Sequence, residues 1–180
     1  MIVQHQSTFL CVALLSTCTA LHADEPWLDK TDLFHAGQSG YDTFRVHGIV
    51  VSGKGTILAY CEARRGSRSD WADIEIMLCR STNGGVTWSP PQRIADSGKD
   101  TVNNAVATVD RDTGQIHFLY CLNYGQCFYM VSDDDGITFS EPREITSSFE
   151  SFCKDYVWHV LATGPGHGIQ LRNGRLLVPV

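Results

Sequence analysis

The chain has 180 residues, of which 43% are hydrophobic and 19% charged, with a formal net charge of −6. That composition suits a globular protein able to bury a core, and it excludes a low-complexity or disordered chain. Fourteen Lys and Arg that never form a run argue against a nucleic-acid partner, and no apolar stretch reaches the ~18 residues needed to cross a bilayer.

The first segment, STFLCVALLSTCTALHA, is apolar and small-residue-rich, and charge begins abruptly at Asp24. Residues 1–23 are expected to be a secretory signal, with a buried N-terminal helix as the other reading. LSTC, ending at Cys18, faintly resembles a lipid-attachment site, although Thr17 fits it poorly. Residues 24–43 then read as a polar linker into the body of the chain, 44–180.

From Phe44 onward the chain reads as short strands separated by turn chemistry. FRVHGIVV passes through SGKG into TILAYCEA, both rich in β-branched and aromatic residues. DIEIMLCR follows, then the turn STNGGVTW, then PQRI, whose leading prolines suit an edge strand. The order starts again with NNAVATVD, the turn RDTG, IHFLYCLN, CFYMVSD, the turn SDDDGITF and PREIT. A third round opens with HGIQL, the turn RNG and RLLVPV. No helical periodicity of useful length appears after the signal.

The octapeptide Ser81–Trp88 returns at Ser132–Phe139, a period of roughly 50 residues with four strands in each round. This predicts an all-β fold of β-propeller type, in which radial repetition manages exposed strand edges. In each copy the Asn or Asp is expected to accept hydrogen bonds from the turn, the glycine to take the left-handed region, and the aromatic residue to pack between sheets. The turn speaks to fold and not to chemistry. Fewer than three blades are present, so the propeller is expected to be incomplete.

Beyond the signal's Cys11 and Cys18, five cysteines remain, with neither a CxxC pair nor histidines at metal-ligand spacing. Cys121 and Cys127 are placed to face one another across LNYGQ, as a disulfide or as buried thiols.

Chemistry concentrates in FRVHGIVVSGKGTILAYCEARRGSRSDWADIEI. Arg45 opens the first strand, Arg64 and Arg65 end the second, and Asp70 lies in the loop beyond. In a hairpin these positions fall at one end of the sheet, where two guanidinium groups could hold a carboxylate in bidentate fashion. Asp70 would serve as a general acid if partial burial raised its pKa. The bland alternative pairs Arg45 with Asp42 or Asp73 and leaves Asp70 as a turn residue.

FRVH at Phe44–His47, the EAR triplet at Glu62–Arg64, the two octapeptide turns and ATGPGHGIQL at Ala162–Leu171 together resemble the sialidase (neuraminidase) family of Asp-box, BNR-repeat glycosidases. The resemblance runs from about Phe44 to Val180 and implies a six-bladed propeller seen in its N-terminal part. It implies a retaining exo-α-sialidase acting on glycoproteins, gangliosides or oligosaccharides, exported, with a sialylated glycan as its partner and no metal or other cofactor. Arg45 would then grip the sialic acid carboxylate, and Arg64 would line the acetamido and O-4 side. Asp70 would be the acid/base, and Asn104 would touch the sugar near O-4. Trp158 and the loop from Ala162 to His167 would form the pocket wall.

His47 stands where the family motif carries proline. The tyrosine nucleophile, its glutamate and two further arginines are expected beyond Val180, since Tyr120, Tyr124, Tyr129 and Tyr156 lack the family context. Two other readings stay open: a non-catalytic Asp-box propeller that binds sialylated glycans, and an inactive truncated product.

Overall fold

The computed structural model describes residues 28–155 and 157–180. The expected signal, Cys18 and Tyr156 lie outside them. The compact body runs from Asp32 to Val180.

Strands β1 (Thr43–Val51), β2 (Ile57–Arg65), β3 (Asp73–Ser81) and β4 (Gln92–Ala95) form an antiparallel sheet in sequence order. Strands β5 (Val102–Val109), β6 (Ile116–Leu122), β7 (Gln126–Ser132) and β8 (Arg143–Glu144) repeat the arrangement. These are the two four-stranded rounds predicted from the turn period. The sheets are open, as in an incomplete propeller.

The third round departs from expectation. HGIQL is broken at Gly168: β9 (Gly166–His167) joins the second sheet parallel to β5, and only β10 (Ile169–Gln170) forms a hairpin with β11 (Leu176–Leu177). A Cβ at Gly168 would collide with Thr108 Oγ1, so the chain crosses there without a side chain. A 3-10 helix, Thr146–Lys154, also went unpredicted. None of its residues is fully buried, and its apolar edge is the single pair Phe149 and Phe152, too short to read as a helical period.

The core lies between the two sheets. Leu58, Tyr60, Ile76 and Leu78 of the first meet Val102, Ala105, Ala107, Ile116, Phe118 and Met130 of the second. These side chains alternate along their strands, the period-2 rule for one face of a sheet. The opposite face of the first sheet is covered too, because Tyr41, Phe34 and Phe44 pack on Cys61, Ala63 and Met77. Strands β2 and β3 are therefore buried on both faces, and their alternation blurs in the sequence.

Tyr60 ties the sheets together. Its hydroxyl accepts from the Ala107 N–H at 2.9 Å and donates to the Gly166 carbonyl. A side chain at Gly48, its partner on β1, would occupy the space of the Tyr60 ring.

The repeated turns behave as staples. Ser81 Oγ accepts from Gly85 N–H (2.9 Å) and Asn83 Oδ1 accepts from Thr87 N–H (2.9 Å). In the second copy Ser132 Oγ accepts from Gly136 N–H (2.8 Å) and Asp134 Oδ1 from Thr138 N–H (2.9 Å). Gly85 and Gly136 have φ of 91° and 76°, in the left-handed region that favours glycine. The expectation for the aromatic residue is met once. Phe139 reaches Phe118 in the core at 5.6 Å, whereas Trp88 folds back to donate its indole N–H to the Gly85 carbonyl.

Candidate functional site

The face of β2 that carries Leu58 and Tyr60 into the core carries Glu62 and Arg64 at its far end. The apolar face thus turns charged just where the sheet opens. Glu62 and Arg64 are both almost fully buried, with side chains 1% exposed. Burial of charges on this scale requires that each be paired and hydrogen-bonded. Glu62 Oε2 accepts from Arg64 Nη2 at 2.5 Å and from Nε at 3.2 Å, while Oε1 accepts from the Asn104 N–H at 2.9 Å.

The remaining guanidinium nitrogen of Arg64 points outward. Its Nη1 donates to Asp70 Oδ1 at 2.7 Å and to the Arg68 carbonyl at 2.9 Å. Arg45 Nη1 donates to the same Asp70 oxygen at 3.2 Å. Arg45 is opposite Glu62 in the β1–β2 register, which sets it beside Arg64 on the sheet's end. A bulge between Arg45 and Gly48, with Val46 at φ 52°, re-aims the chain just there. Arg45 and Asp70 are about half exposed, at 53% and 56%. The pairing of Arg45 is thus with Asp70, rather than with Asp42 or Asp73.

The loop that presents Asp70 is held at both ends. Gly66 N–H donates to the Asp42 carboxylate, Trp71 N–H to Ser69 Oγ, and Thr101 Oγ1 to the Ala72 carbonyl at 2.7 Å.

One electrostatic expectation is corrected. The Arg64 hydrogen bond holds the Asp70 carboxyl below the usual range, and the nearby Arg45 charge adds to this, while slight burial opposes it. Burial does not raise this acid, because the group is solvated and faces two cations. Burial disfavours the charge on Arg64, but Glu62 and Asp70 bonded to it outweigh that and raise its pKa. Arg64 remains a cation throughout.

Asn104 stands at the second bulge, between Asn103 and Val106 on β5, with φ 51°. Its backbone joins the cluster through Glu62, and its carbonyl accepts from Thr163 Oγ1 at 2.8 Å. Trp158 and His167 stand elsewhere. Trp158 lines an apolar hollow of about 470 Å³ with Leu119, Phe149 and Leu161, and its indole N–H meets Cys153 Sγ. His167 lines a different hollow with Val50, Thr108 and Gln170. Neither lining shares a residue with the Arg45–Arg64–Asp70 cluster.

Three participants escaped sequence reading. Glu62 had a signal, a carboxylate set two residues before Arg64 on one face of an apolar strand. Trp71 and Tyr124 had none, being far apart in the chain. Their rings stand 4.6 Å apart beside Asp70, with Trp71 64% exposed. Tyr124 sits on the β6–β7 turn, and its pKa is raised by burial and then by the negative charges of Glu62 and Asp70.

Comparison with known proteins shows the family. A sialidase of Bacteroides fragilis is 29% identical over 174 residues, covering 81% of this chain and 31% of that protein. An exo-alpha-sialidase of Aspergillus fumigatus is 28% identical, covering 78% of this chain and 41% of its own length. The chain thus spans about a third to two-fifths of the length of these two relatives. Among solved structures, the Hadza microbial sialidase Hz136 is 29% identical with a TM-score of 0.67, over 79% of this chain and 33% of that one. The leech intramolecular trans-sialidase shares the fold at a TM-score of 0.70 and 17% identity, over 85% and 42%. The model of the BNR repeat-like domain matches residues 55–180, both repeated turns included. The chain belongs to the BNR repeat-like domain family, and the relatives it matches are sialidases.

Proposed function

We propose that this chain forms the N-terminal part of an exported exo-α-sialidase that acts with retention on terminal sialic acids of glycoproteins, gangliosides or oligosaccharides. The observation that carries the reading is the convergence of Arg45 and Arg64 on one oxygen of Asp70 at the open end of the first sheet. Half-exposed Arg45 is free to turn its planar donors to a substrate carboxylate, while Arg64, locked by Glu62, keeps the floor of the site fixed. Asn104 is assigned to the sugar's O-4 side. Trp158, His167 and the loop between Ala162 and His167 are assigned to the wall completed in the whole protein.

The substrate carries its carboxylate on the anomeric carbon, so a carboxylate nucleophile would approach against like charge. A tyrosine nucleophile avoids that repulsion, and retaining sialidases are an exception to the two-carboxylate scheme for that reason. Asp70 delivers its proton to the departing glycosidic oxygen and later takes one from water. Free Asp70 is held ionised by its arginines, so substrate must raise its pKa. Two changes on binding act in that direction: the substrate carboxylate competes for Arg45, and the sugar displaces water from Asp70.

The test is hydrolysis of a sialyl-galactoside, whose alcohol leaving group needs protonation, by the whole protein. Asp70→Ala should lower kcat by about 10²–10⁴-fold for a natural linkage that needs protonation, and Arg45→Ala should raise KM as well. The basic limb of the pH profile should lie higher for kcat than for kcat/KM, because kcat reports Asp70 with substrate bound. Undiminished hydrolysis by Arg45→Ala would sink the proposal.

The low pKa of Asp70 favours a second reading, a non-catalytic propeller that binds sialylated glycans through its arginines. Sialoside binding by calorimetry without turnover, lost in Arg45→Ala, would establish it.

A further inference from the structure

We propose that Cys121 and Cys127 form a thiol–disulfide site that staples the hairpin carrying Tyr124 to Trp71. Both thiols are reduced and wholly buried, and they stand directly opposite in the β6–β7 register. Three hydrogen bonds show which kind of pair this is. Cys127 N–H donates to Thr146 Oγ1 at 3.0 Å, and the Cys127 carbonyl accepts from Ile145 N–H at 2.8 Å. Four residues on, in step with this alternation, the Val131 carbonyl likewise accepts from Ser140 N–H. The backbone of Cys127 therefore turns away from β6, which makes 121/127 a non-hydrogen-bonded pair. Such pairs bring their Cα atoms to about 4.5 Å with side chains on one face, inside the range that a disulfide spans without backbone movement.

The surroundings favour one sulfur as the attacking group. Cys121 accepts a hydrogen bond from the Cys127 thiol, which outweighs burial and lowers its pKa, and Thr163 Oγ1 lies beside it at 3.6 Å. In the presence of a small-molecule disulfide such as oxidised glutathione, the Cys121 thiolate attacks one of its sulfurs. One glutathione leaves as thiolate, and a mixed disulfide remains on Cys121. The Cys127 sulfur then attacks the Cys121 sulfur, forming the protein disulfide and releasing the second glutathione. The two cysteine protons go to the two departing thiolates, and two electrons pass from the cysteines to the reagent. Because both sulfurs are buried, exchange proceeds while the hairpin is forming or locally open.

The staple bears on the site without touching it. The segment between the cysteines includes Asn123, whose side chain accepts from Thr101 N–H at 3.0 Å, and Tyr124, whose ring packs at a tilt against Trp71 and whose carbonyl accepts from Leu161 N–H at 2.8 Å. Closing the pair restricts that tip to its native turn. The inference rests on strand register alone and is independent of the proposed glycosidase activity.

The full chain is refolded in a glutathione redox buffer, quenched with iodoacetamide in denaturant and mapped by non-reducing peptide mass spectrometry. The expected result is a loss of about 2 Da, a linked Cys121–Cys127 peptide, and alkylated Cys61 and Cys79. Exposed Cys153 serves as the internal control that the buffer reaches thiols. Cys127→Ala should leave Cys121 alkylated and yield no linked peptide. Should both cysteines alkylate freely wherever Cys153 is glutathionylated, or should the mass loss persist in Cys127→Ala, the proposal fails. The wild-type map alone decides if the variant does not fold.

Discussion

The two octapeptide turns make the same internal hydrogen bonds but rest on different ground. In the first, the nearest contacts of a Cβ at Gly85 are 3.8 and 3.9 Å away, and the turn faces outward. In the second, Gly136 is pressed against the Leu58 side chain of the other sheet. Asp135 beside it, at φ 66°, accepts from Thr56 Oγ1 and pairs with Arg80, whose Nε also donates to the Asp135 carbonyl at 3.0 Å. One motif thus folds twice from local chemistry, and its second copy is additionally an inter-sheet joint. The turn is autonomous, and docking is a property of what precedes it.

Substitutions along this contrast should differ in size. Gly136→Ala adds left-handed strain and a collision with Leu58, and should cost about 2–4 kcal/mol in urea unfolding. Equal losses at Gly136 and Gly85 would erase the distinction. Arg80→Met leaves the half-buried Asp135 with Ser52 and Thr56 as side-chain partners but without its cation, and should cost about 1–2 kcal/mol, with no counterpart in the first turn. Gly85→Ala meets strain but no collision, and about 1 kcal/mol is expected.

The smallest effect is one of pH. Hydrogen bonds from Thr138 draw Asp134 down to about 2, whereas the first turn uses Asn83, which does not titrate. The folded pKa lies below the unfolded value of about 3.9, so this stability is complete above that value and is lost as pH falls through about 2. Asp134→Asn should be nearly neutral at pH 7 and should flatten the acid side of a melting-temperature profile between pH 4 and 2. An unchanged acid slope would assign it to other carboxylates.

The contrast also separates what a sequence displays from what it hides. The strands of both rounds were legible because turn chemistry brackets them, and the turn interiors because serine, Asn or Asp, glycine and threonine sit at fixed offsets. Arg45, Arg64 and Asp70 were legible as neighbours because hairpin geometry brings the start of β1 to the end of β2. Hidden were relations set by packing between rounds: the docking of Gly136 on Leu58, the tilted contact of Trp71 with Tyr124, and the parallel pairing of β9 with β5. The depressed pKa of Asp70 was hidden for a related reason, since it depends on two guanidinium groups reaching one oxygen. The 3-10 helix at Thr146–Lys154 stayed hidden because its apolar edge is only Phe149 and Phe152, shorter than a readable period.

Tyr60 carries a consequence for how the molecule opens. Its hydroxyl accepts from Ala107 and donates to Gly166, and burial, partly offset by the Ala107 bond, pushes its pKa up to about 12. It therefore keeps its proton across the whole range in which a protein is ordinarily handled. A dowel of this kind makes the two sheets one cooperative unit: Ala107 cannot exchange its amide hydrogen until the first sheet lets go. Two residues along the same strand is Glu62, and four along is Arg64. The rigidity that the charged end of β2 enjoys is borrowed from a phenol lodged in its neighbour.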